Sequence, residues 1–273
     1  MEFRERMTTM DIEIISVGTE ILMGNIVNTD AQFIAAQLNH LGIDCYYQTV
    51  VGDNPDRLRE VLDIAFGRSQ GVILSGGLGP TKDDLTKEML MDYFHTQPVL
   101  DQQALDMMAE RLRRRGITEL SESQRKQAVV PDGAIIMYNH NGTAPGCIIE
   151  DCDRVGILLP GPPQELQPMF KEYVTPYLEK HSDKVLVSYN VKLKSSQEAP
   201  LAMVGEAPVA DCLGALLDHA NPTVATYAKT DGCLIRITAA AKDRESAKQL
   251  LEPMYAKCKE AIGEQYIKTV TEE

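Results

Sequence analysis

The sequence predicts an α/β protein of 273 residues: a three-layer, parallel-type sheet covered by helices on both faces, followed by a second, smaller α+β domain. Three observations predict it. Short β-branched runs alternate with stretches of helical spacing between Ile12 and Ser75, the βαβ signature of a parallel sheet. A glycine-rich turn, Gly76-Gly77-Leu78-Gly79, follows the third such run, at the strand end where open α/β sheets place ligands. Beyond a polar stretch at 180–184 (KHSDK) the pattern changes to βαββα, so domains are expected over 1–180 and 181–273.

Residues 12–17 (IEIISV) form a β-branched run closed by Gly18 and read as a buried strand. Asn28 or Thr29 caps a helix that carries Phe33, Ile34, Leu38 and Leu41 at helical spacing and stops at Gly42. Residues 43–51 read as a second strand. Asp53 or Asn54 then caps a helix with Pro55 at its first position and Leu58, Val61, Leu62 and Ala65 on one face, ending near Gly67. The third strand is 71–75 (GVILS). Helices are expected at 84–94, 101–115 and 121–129, strands at 134–137, 147–150 and 155–159, and a closing helix at 164–178. The second domain reads as strand 185–193, helix 200–217, strands 223–228 and 233–239, and helix 244–262. The order of strands in the sheet is not written in the sequence.

Charge and cysteine usage narrow the function classes. With 27 Lys+Arg against 40 Asp+Glu, the net charge is −13. That balance argues against nucleic-acid binding and a polybasic membrane anchor, both of which need concentrated positive charge. Six scattered cysteines without a C-x-x-C pair argue for reduced thiols rather than a disulfide framework or zinc site. No run approaches the ~20 apolar residues of a membrane span. A soluble, cytoplasmic protein is expected.

The strongest local signal is Ser75-Gly76-Gly77-Leu78-Gly79-Pro80-Thr81-Lys82-Asp83-Asp84. Glycines let ligand oxygens approach the main chain, and free N–H groups beside a helix start favour an anion. Neither a Walker A loop nor a dinucleotide fingerprint fits the spacing. A tight turn with Asp83 or Asp84 as a helix cap is the plain alternative. Asp83 and Asp84 adjoin the cradle and Asp53 ends the neighbouring strand. Acids beside a phosphate site call for a divalent cation, with Mg²⁺, Mn²⁺ or Co²⁺ expected. Asp53 also fits a helix-capping turn. Gly18-Thr19-Glu20 emerges on the same rim, and the turns 139–146 (NHNGTAPG) and 159–163 (LPGPP) offer further backbone donors. His140 is the one histidine inside such a loop. The run Arg111, Arg113–Arg115 reads as a solvated helix face.

Taken together, GTEILMGNIVNTDA, TVVGDN, SGGLGPTKDDLTKE, NGTAPG and LLPGPPQEL resemble the competence/damage-inducible CinA family, whose first domain is similar to the molybdopterin-binding MoaB/MogA fold. NPTVATYAK and the region after it resemble the family's KH-like middle domain, so nearly the whole chain is covered. The resemblance implies a three-layer first domain, assembly as a homo-oligomer with a dimer favoured, and the metal-dependent ADP-ribose pyrophosphatase activity of some members. By position, Asp84 matches the aspartate that relatives place after their glycine loop, and Asp53 the one ending their second strand. Full-length members continue into an amidase-like domain; this chain stops at Glu273, so that activity is not expected of it. Asp30 stands where the family more often has Asn, and His140-Asn141 where a Pro-Val-like pair is common.

The leading expectation is therefore a metal-dependent hydrolase that splits ADP-ribose into AMP and ribose 5-phosphate. Ser75, Gly76, Gly77, Gly79 and Thr81 would hold the pyrophosphate. Asp53, Asp83 and Asp84 would position metal and water, and Thr19, Glu20 and Asn28 would touch sugar or base. Thr143, Gly146 and Gly161 would complete the substrate loops. The alternative is a molybdopterin-binding or adenylyl-transferring protein of molybdenum-cofactor assembly; a non-catalytic ligand-binding module is the third. The stretch 195–205 lacks the G-x-x-G loop with which a KH domain clamps nucleic acid, so a small-molecule nucleotide is the expected partner.

Overall fold

The computed structural model describes residues 10–81, 83–181, 184–195, 198, 205–229 and 232–273. The chain divides into two compact units, Met1–Asn39 with Ile43–Ser182 and His40–Gly42 with Asp183–Glu273.

The first unit is built on a six-stranded sheet. β1 (Ile12–Val17) pairs in parallel with β2 (Gln48–Val51) and with β3 (Gly71–Ser75), and β3 in parallel with β8 (Arg154–Leu159). β7 (Gly146–Asp151) and β6 (Ile135–Met137) then add antiparallel, so the strand order is β2-β1-β3-β8-β7-β6. β1 and β3 are buried at every position, which is why apolar residues dominate them, with Glu13, Ser16 and Ser75 as buried polar exceptions. Alternation sends Ile15, Val17, Val72 and Leu74 to one face. There α3 (Pro55–Phe66) supplies Leu58, Leu62 and Phe66, and α4 (Thr86–Tyr93) supplies Leu90. Ile12, Ile14, Ile73 and Ile157 are buried on the opposite face. After the one-turn helix α1 (Thr19–Leu22), α2 (Thr29–His40) meets a later helical segment through Phe33 and Phe170, edge to face at 5.7 Å. That segment runs as α7 (Pro163–Met169), a π-turn (Phe170–Val174) and α8 (Thr175–Glu179). One uninterrupted helix was expected there. Pro176 has no N–H to return to the preceding turn, and the hydrogen-bond register widens just before it.

Other departures have equally local causes. The second strand begins at Gln48 rather than 43. β2 is the sheet edge, and Tyr46 and Tyr47 are exposed, with only an isolated bridge from Asp11 to Asp44 before it. α4 starts at Thr86 because the Asp84 carboxylate is engaged by Thr81. Two short strands not anticipated, β4 (Pro98–Leu100) and β5 (Val129–Pro131), pair antiparallel and bracket α5 (Gln102–Arg113) and α6 (Glu122–Gln127). Three residues with a proline in each are too few to show a strand period. Asp101 caps α5 through Ala104 N at 2.7 Å, and Ser121 with Gln124 forms a capping box on α6.

The second unit is a four-stranded antiparallel sheet carrying two helices. β9 (Val185–Leu193), β10 (Thr223–Lys229) and β11 (Gly232–Ala241) put Val187, Val191, Val224, Cys233, Ile235 and Ile237 into one core with α10 (Arg244–Ile262) and α9 (Glu206–Leu213). The expected helix over 200–217 is α9 followed by a 3₁₀ turn over Gly214–Asp218; its first residues lie outside the described set. So do most of residues 195–205. β12 (Ile267–Glu272) completes the order β10-β11-β9-β12 and was not foreseen. It is an edge strand whose residues are almost all exposed, so it carries no alternating pattern. No helix among the described residues is long and apolar enough to cross a membrane.

Candidate functional site

A cleft of about 640 Å³ opens at the carboxyl ends of β1, β3 and β8. The turns after those strands line it: Gly18 and Glu20, then Ser75 through Thr81 with Asp83 and Asp84, then Pro160 through Pro163. Asp53, Asp30, Gln127, Thr143 and Glu165 close its sides, with Ile21 and Ile26 as apolar wall.

The glycine loop is shaped by close approaches. Gly76 has φ 96°, and a side chain there would run into the Val17 carbonyl of β1, while its N–H donates to Leu159 O at 3.1 Å. Gly77 has φ 69° and lies against Thr86 Oγ1, a buried hydroxyl without a hydrogen-bond partner among the described residues. Gly79 leaves room for the Asp84 carboxylate. Among the described residues no acceptor takes the N–H of Gly77, Leu78 or Gly79, so the loop has donors to spare for a ligand. Its back is braced: Gln127 Nε2 donates to Leu78 O at 2.9 Å, and Lys87 Nζ donates to Gln127 O at 2.8 Å and Lys126 O at 3.3 Å. Burial pulls the Lys87 ammonium below its ordinary range.

Two of the expected acids are held by threonines. Asp53 Oδ2 accepts from Thr19 N at 2.9 Å and Thr19 Oγ1 at 2.8 Å. Asp84 Oδ2 accepts from Thr81 N at 2.8 Å and Thr81 Oγ1 at 2.5 Å. Each carboxylate thus keeps its second oxygen for the cleft. Thr19 itself does not line the cleft; it orients Asp53. Thr19→Val is therefore expected to cost about 1 kcal/mol, the ordinary net worth of one solvent-exposed hydrogen bond, read from the urea midpoint.

Asn28 and Gly146, expected to touch the substrate, do not line the cleft. Asn28 Oδ1 accepts from Ala31 N at 3.1 Å, capping α2, and its amide donates to Ser16 Oγ at 3.0 Å. Ser16 in turn meets Ser75 at 3.5 Å, so Asn28 ties the helix start to the strand ends beneath the cleft. Gly146 is buried in β7, where a Cβ would press on Leu158 O and Met169 Sδ; it is a packing glycine. His140 lies 3.6 Å from Glu172 and outside the cleft.

Three polar lining residues escaped the sequence reading as site members. Gln127 braces the loop. Glu165, in the first turn of α7, accepts from the buried Asn139 amide at 2.7 Å, and Asn139 Oδ1 accepts from Asn141 N and Gly142 N, folding the 139–146 loop. Asp30, in the first turn of α2, has a buried Oδ1 without a partner among the described residues, and burial pushes its carboxyl up to about 6. A helix-start acid two residues after a capping Asn is the available signal, but it matches ordinary dipole compensation.

The cleft's charge is lopsided. Glu20, Asp30, Asp53, Asp83, Asp84 and Glu165 line it, and no Lys or Arg among the described residues does. No three His, Cys, Asp or Glu among the described residues converge as a metal cage. The expected three-acid metal centre for a pyrophosphate therefore does not assemble from these side chains, and a bare diphosphate would meet six carboxyl groups.

The comparisons with known proteins bear on the activity. A family model described as "Probable molybdopterin binding domain" matches residues 13–180, and one described as "Damage-inducible protein CinA KH domain" matches residues 201–267. A competence-damage inducible protein of Clostridium beijerinckii is 44% identical over 258 residues, covering 93% of this chain and 60% of that protein. Its counterpart in Caldicellulosiruptor saccharolyticus is 45% identical over 256 residues at the same coverage. The chain thus spans about 60% of the length of these relatives. The crystal structure of CinA from Thermoplasma acidophilum, described as of unknown function, superposes at a TM-score of 0.57 with 33% identity, over 62% of this chain and 98% of that one. These findings correct the expected ADP-ribose pyrophosphatase: the matched family is one of molybdopterin binding, and none of these proteins carries a hydrolase description. The chain belongs to the molybdopterin-binding-domain family, in the CinA arrangement that pairs this domain with a CinA KH domain.

Proposed function

We propose that the first unit binds a pterin of the molybdopterin class in the cleft at the carboxyl ends of β1, β3 and β8. The observation that carries this reading is a cleft rich in hydrogen-bond acceptors and free of Lys and Arg among the described residues, inside a domain matched as molybdopterin-binding. A pterin ring presents an exocyclic amine and ring N–H groups, which carboxylates accept. Its carbonyl suits the N–H groups of Gly77 to Gly79, and its flat faces suit Ile21 and Ile26. A divalent cation (Mg²⁺, Mn²⁺ or Co²⁺) enters this reading only as a counter-ion arriving with ligand phosphates, since the free oxygens of Asp53 and Asp84 supply at most part of its shell.

The test is fluorescence titration of the purified chain with 6-hydroxymethylpterin, together with a search for co-purified pterin fluorescence after denaturation. Saturable binding is expected, weakened about tenfold by Asp53→Ala, the size of one lost hydrogen bond between a charged and a neutral group. No saturation and no co-purified pterin would overturn the reading. Homo-oligomeric assembly, a dimer first, belongs to the same proposal. It is supported by Leu22, Met23, Ile26 and Val27, exposed together on the rim at 55%, 70%, 51% and 82%. Light scattering gives the mass directly.

A further inference from the structure

Beside the glycine loop sits a buried cation that does not line the cleft. Lys87, in the first turn of α4, is 5% exposed, and its ammonium donates to two carbonyls at the end of α6, Gln127 O and Lys126 O. The last carbonyls of a helix have no partner within it, and a cation there opposes the helix dipole, so Lys87 closes α6. A solvated lysine could do as much without the cost of taking an ammonium out of water. What the buried position adds is reach to the loop. Gln127, the residue so fixed, is itself buried, and its side chain donates to Leu78 O at 2.9 Å. One residue earlier, Gly77 O accepts from Thr86 N at 3.3 Å. In a trans peptide the carbonyl and the following N–H point in opposite directions. Holding the Gly77 and Leu78 carbonyls toward α4 and α6 therefore turns the N–H groups of Leu78 and Gly79 the other way, where neither meets an acceptor among the described residues. Glu88 is the contrast within the same helix. It also ties α4 to α6, through Lys126 Nζ at 2.9 Å, but that tie ends on a partly exposed side chain rather than on the loop.

We propose that Lys87 is a positioning residue for ligand binding: through Gln127 it sets the direction in which the glycine loop presents its N–H donors. The role rests on the pterin reading above for the identity of the ligand, and on the chain from Lys87 through Gln127 to Leu78 alone for the positioning. A ligand carbonyl is bound well only by donors already aimed at it, since a loop whose peptides rotate freely must be ordered at the moment of binding. Lys87 acts without touching the ligand, which separates it from the acids of the cleft.

The experiment is a double-mutant cycle on the whole chain, with the affinity for 6-hydroxymethylpterin read by fluorescence titration. Lys87→Met and Gln127→Ala are each expected to weaken binding about tenfold. The double variant is expected to be no weaker than Gln127→Ala alone, because the two residues act in series. Glu88→Gln, which cuts the neighbouring tie between α4 and α6, is expected to bind as the wild type does. Additive losses, wild-type affinity in K87M, or an equal loss in E88Q would overturn the positioning role; the last would leave Lys87 a helix cap and nothing more. The second arm needs no ligand and compares the Leu78 and Gly79 amide resonances in the same variants. They are expected to move in the same direction in K87M and Q127A and to stay in place in E88Q. That pattern supports the role even where pterin does not bind, in which case only the pterin reading fails. Unmoved resonances in K87M overturn the role even where pterin binds. Should K87M not fold, Lys87→Gln, a shorter neutral side chain that keeps the buried position polar, takes its place in both arms under the same criteria.

Discussion

Gly76→Ala is expected to lower the stability of the first unit by about 3 kcal/mol or more and to abolish ligand binding in the cleft. Two separate penalties add. At φ 96° an L side chain is strained whatever its surroundings, worth about 1–2 kcal/mol. The new methyl would also be driven into the Val17 carbonyl, a backbone atom of β1, a buried strand paired on both sides that has no room to withdraw. Relief can come only by moving the loop, which breaks the bond from Gly76 N to Leu159 O and displaces the free N–H groups of Gly77 to Gly79. Scanning calorimetry is expected to show a Tm lower by about 6–12 °C, at roughly 2–4 °C per kcal/mol for a unit of this size. Gly116→Ala separates the two penalties. Gly116 has φ 83° but nothing within 4 Å of the added methyl, so it carries the strain without the collision. Equal losses in the two variants would mean that the approach to Val17 contributes nothing.

That contrast also shows what the sequence could and could not convey. A glycine is visible in the sequence, but the carbonyl that makes it obligatory is 59 positions away along the chain and becomes a neighbour only through the parallel β1–β3 pairing. The elements that were legible, β1, α3, β3 and α10, are those whose burial follows one clean period or whose ends carry a cap, as Asn54 and Pro55 do for α3. The illegible ones are edges and interruptions: β12 and the start of β2 bury little, and the π-turn before Pro176 is a change of hydrogen-bond register inside an unbroken apolar pattern. The same division holds at the cleft. Strand-end position brought Glu20, Asp53 and the glycine loop to one place, and that follows from βαβ topology. Charge balance did not follow. The acids of the cleft are interleaved with unrelated charges along the chain, and only the folded surface gathers them into one acidic cleft. The hydrolase expectation is corrected by the family that the chain matches, described as molybdopterin binding, and aspartates near a glycine loop could not distinguish the two in the sequence.

Asp30→Asn is expected to stabilise the protein at neutral pH while weakening its grip on the ligand, and pH separates the two effects. Burial raises the Asp30 carboxyl from 3.8 to about 6 in the folded state. Between those values the folded protein holds a proton that the unfolded chain has released, so stability falls as pH rises through this window and stays reduced above it. The full shift corresponds to about 3 kcal/mol, but the side chain is half-buried and solvent screens the charge, so about 1–2 kcal/mol is expected at pH 7.5. Asparagine has the same shape, carries no charge, and removes that penalty. Its Tm should exceed the wild type's by about 2–8 °C at pH 7.5 and converge with it at about pH 3, where Asp30 is neutral in the folded state and largely so in the unfolded chain. A gap independent of pH would show that the buried oxygen, rather than its charge, is what destabilises. In the cleft the same change works in the opposite direction. An ionised Asp30 is an acceptor for ligand N–H groups, and a protonated carboxyl or an amide is a poorer one. Wild-type pterin affinity should therefore rise through pH 6 while that of the Asp30→Asn variant stays flat. A residue that weakens the fold at the pH where it serves the ligand fits a binding site, where unsatisfied polarity is retained because the ligand supplies the missing partner.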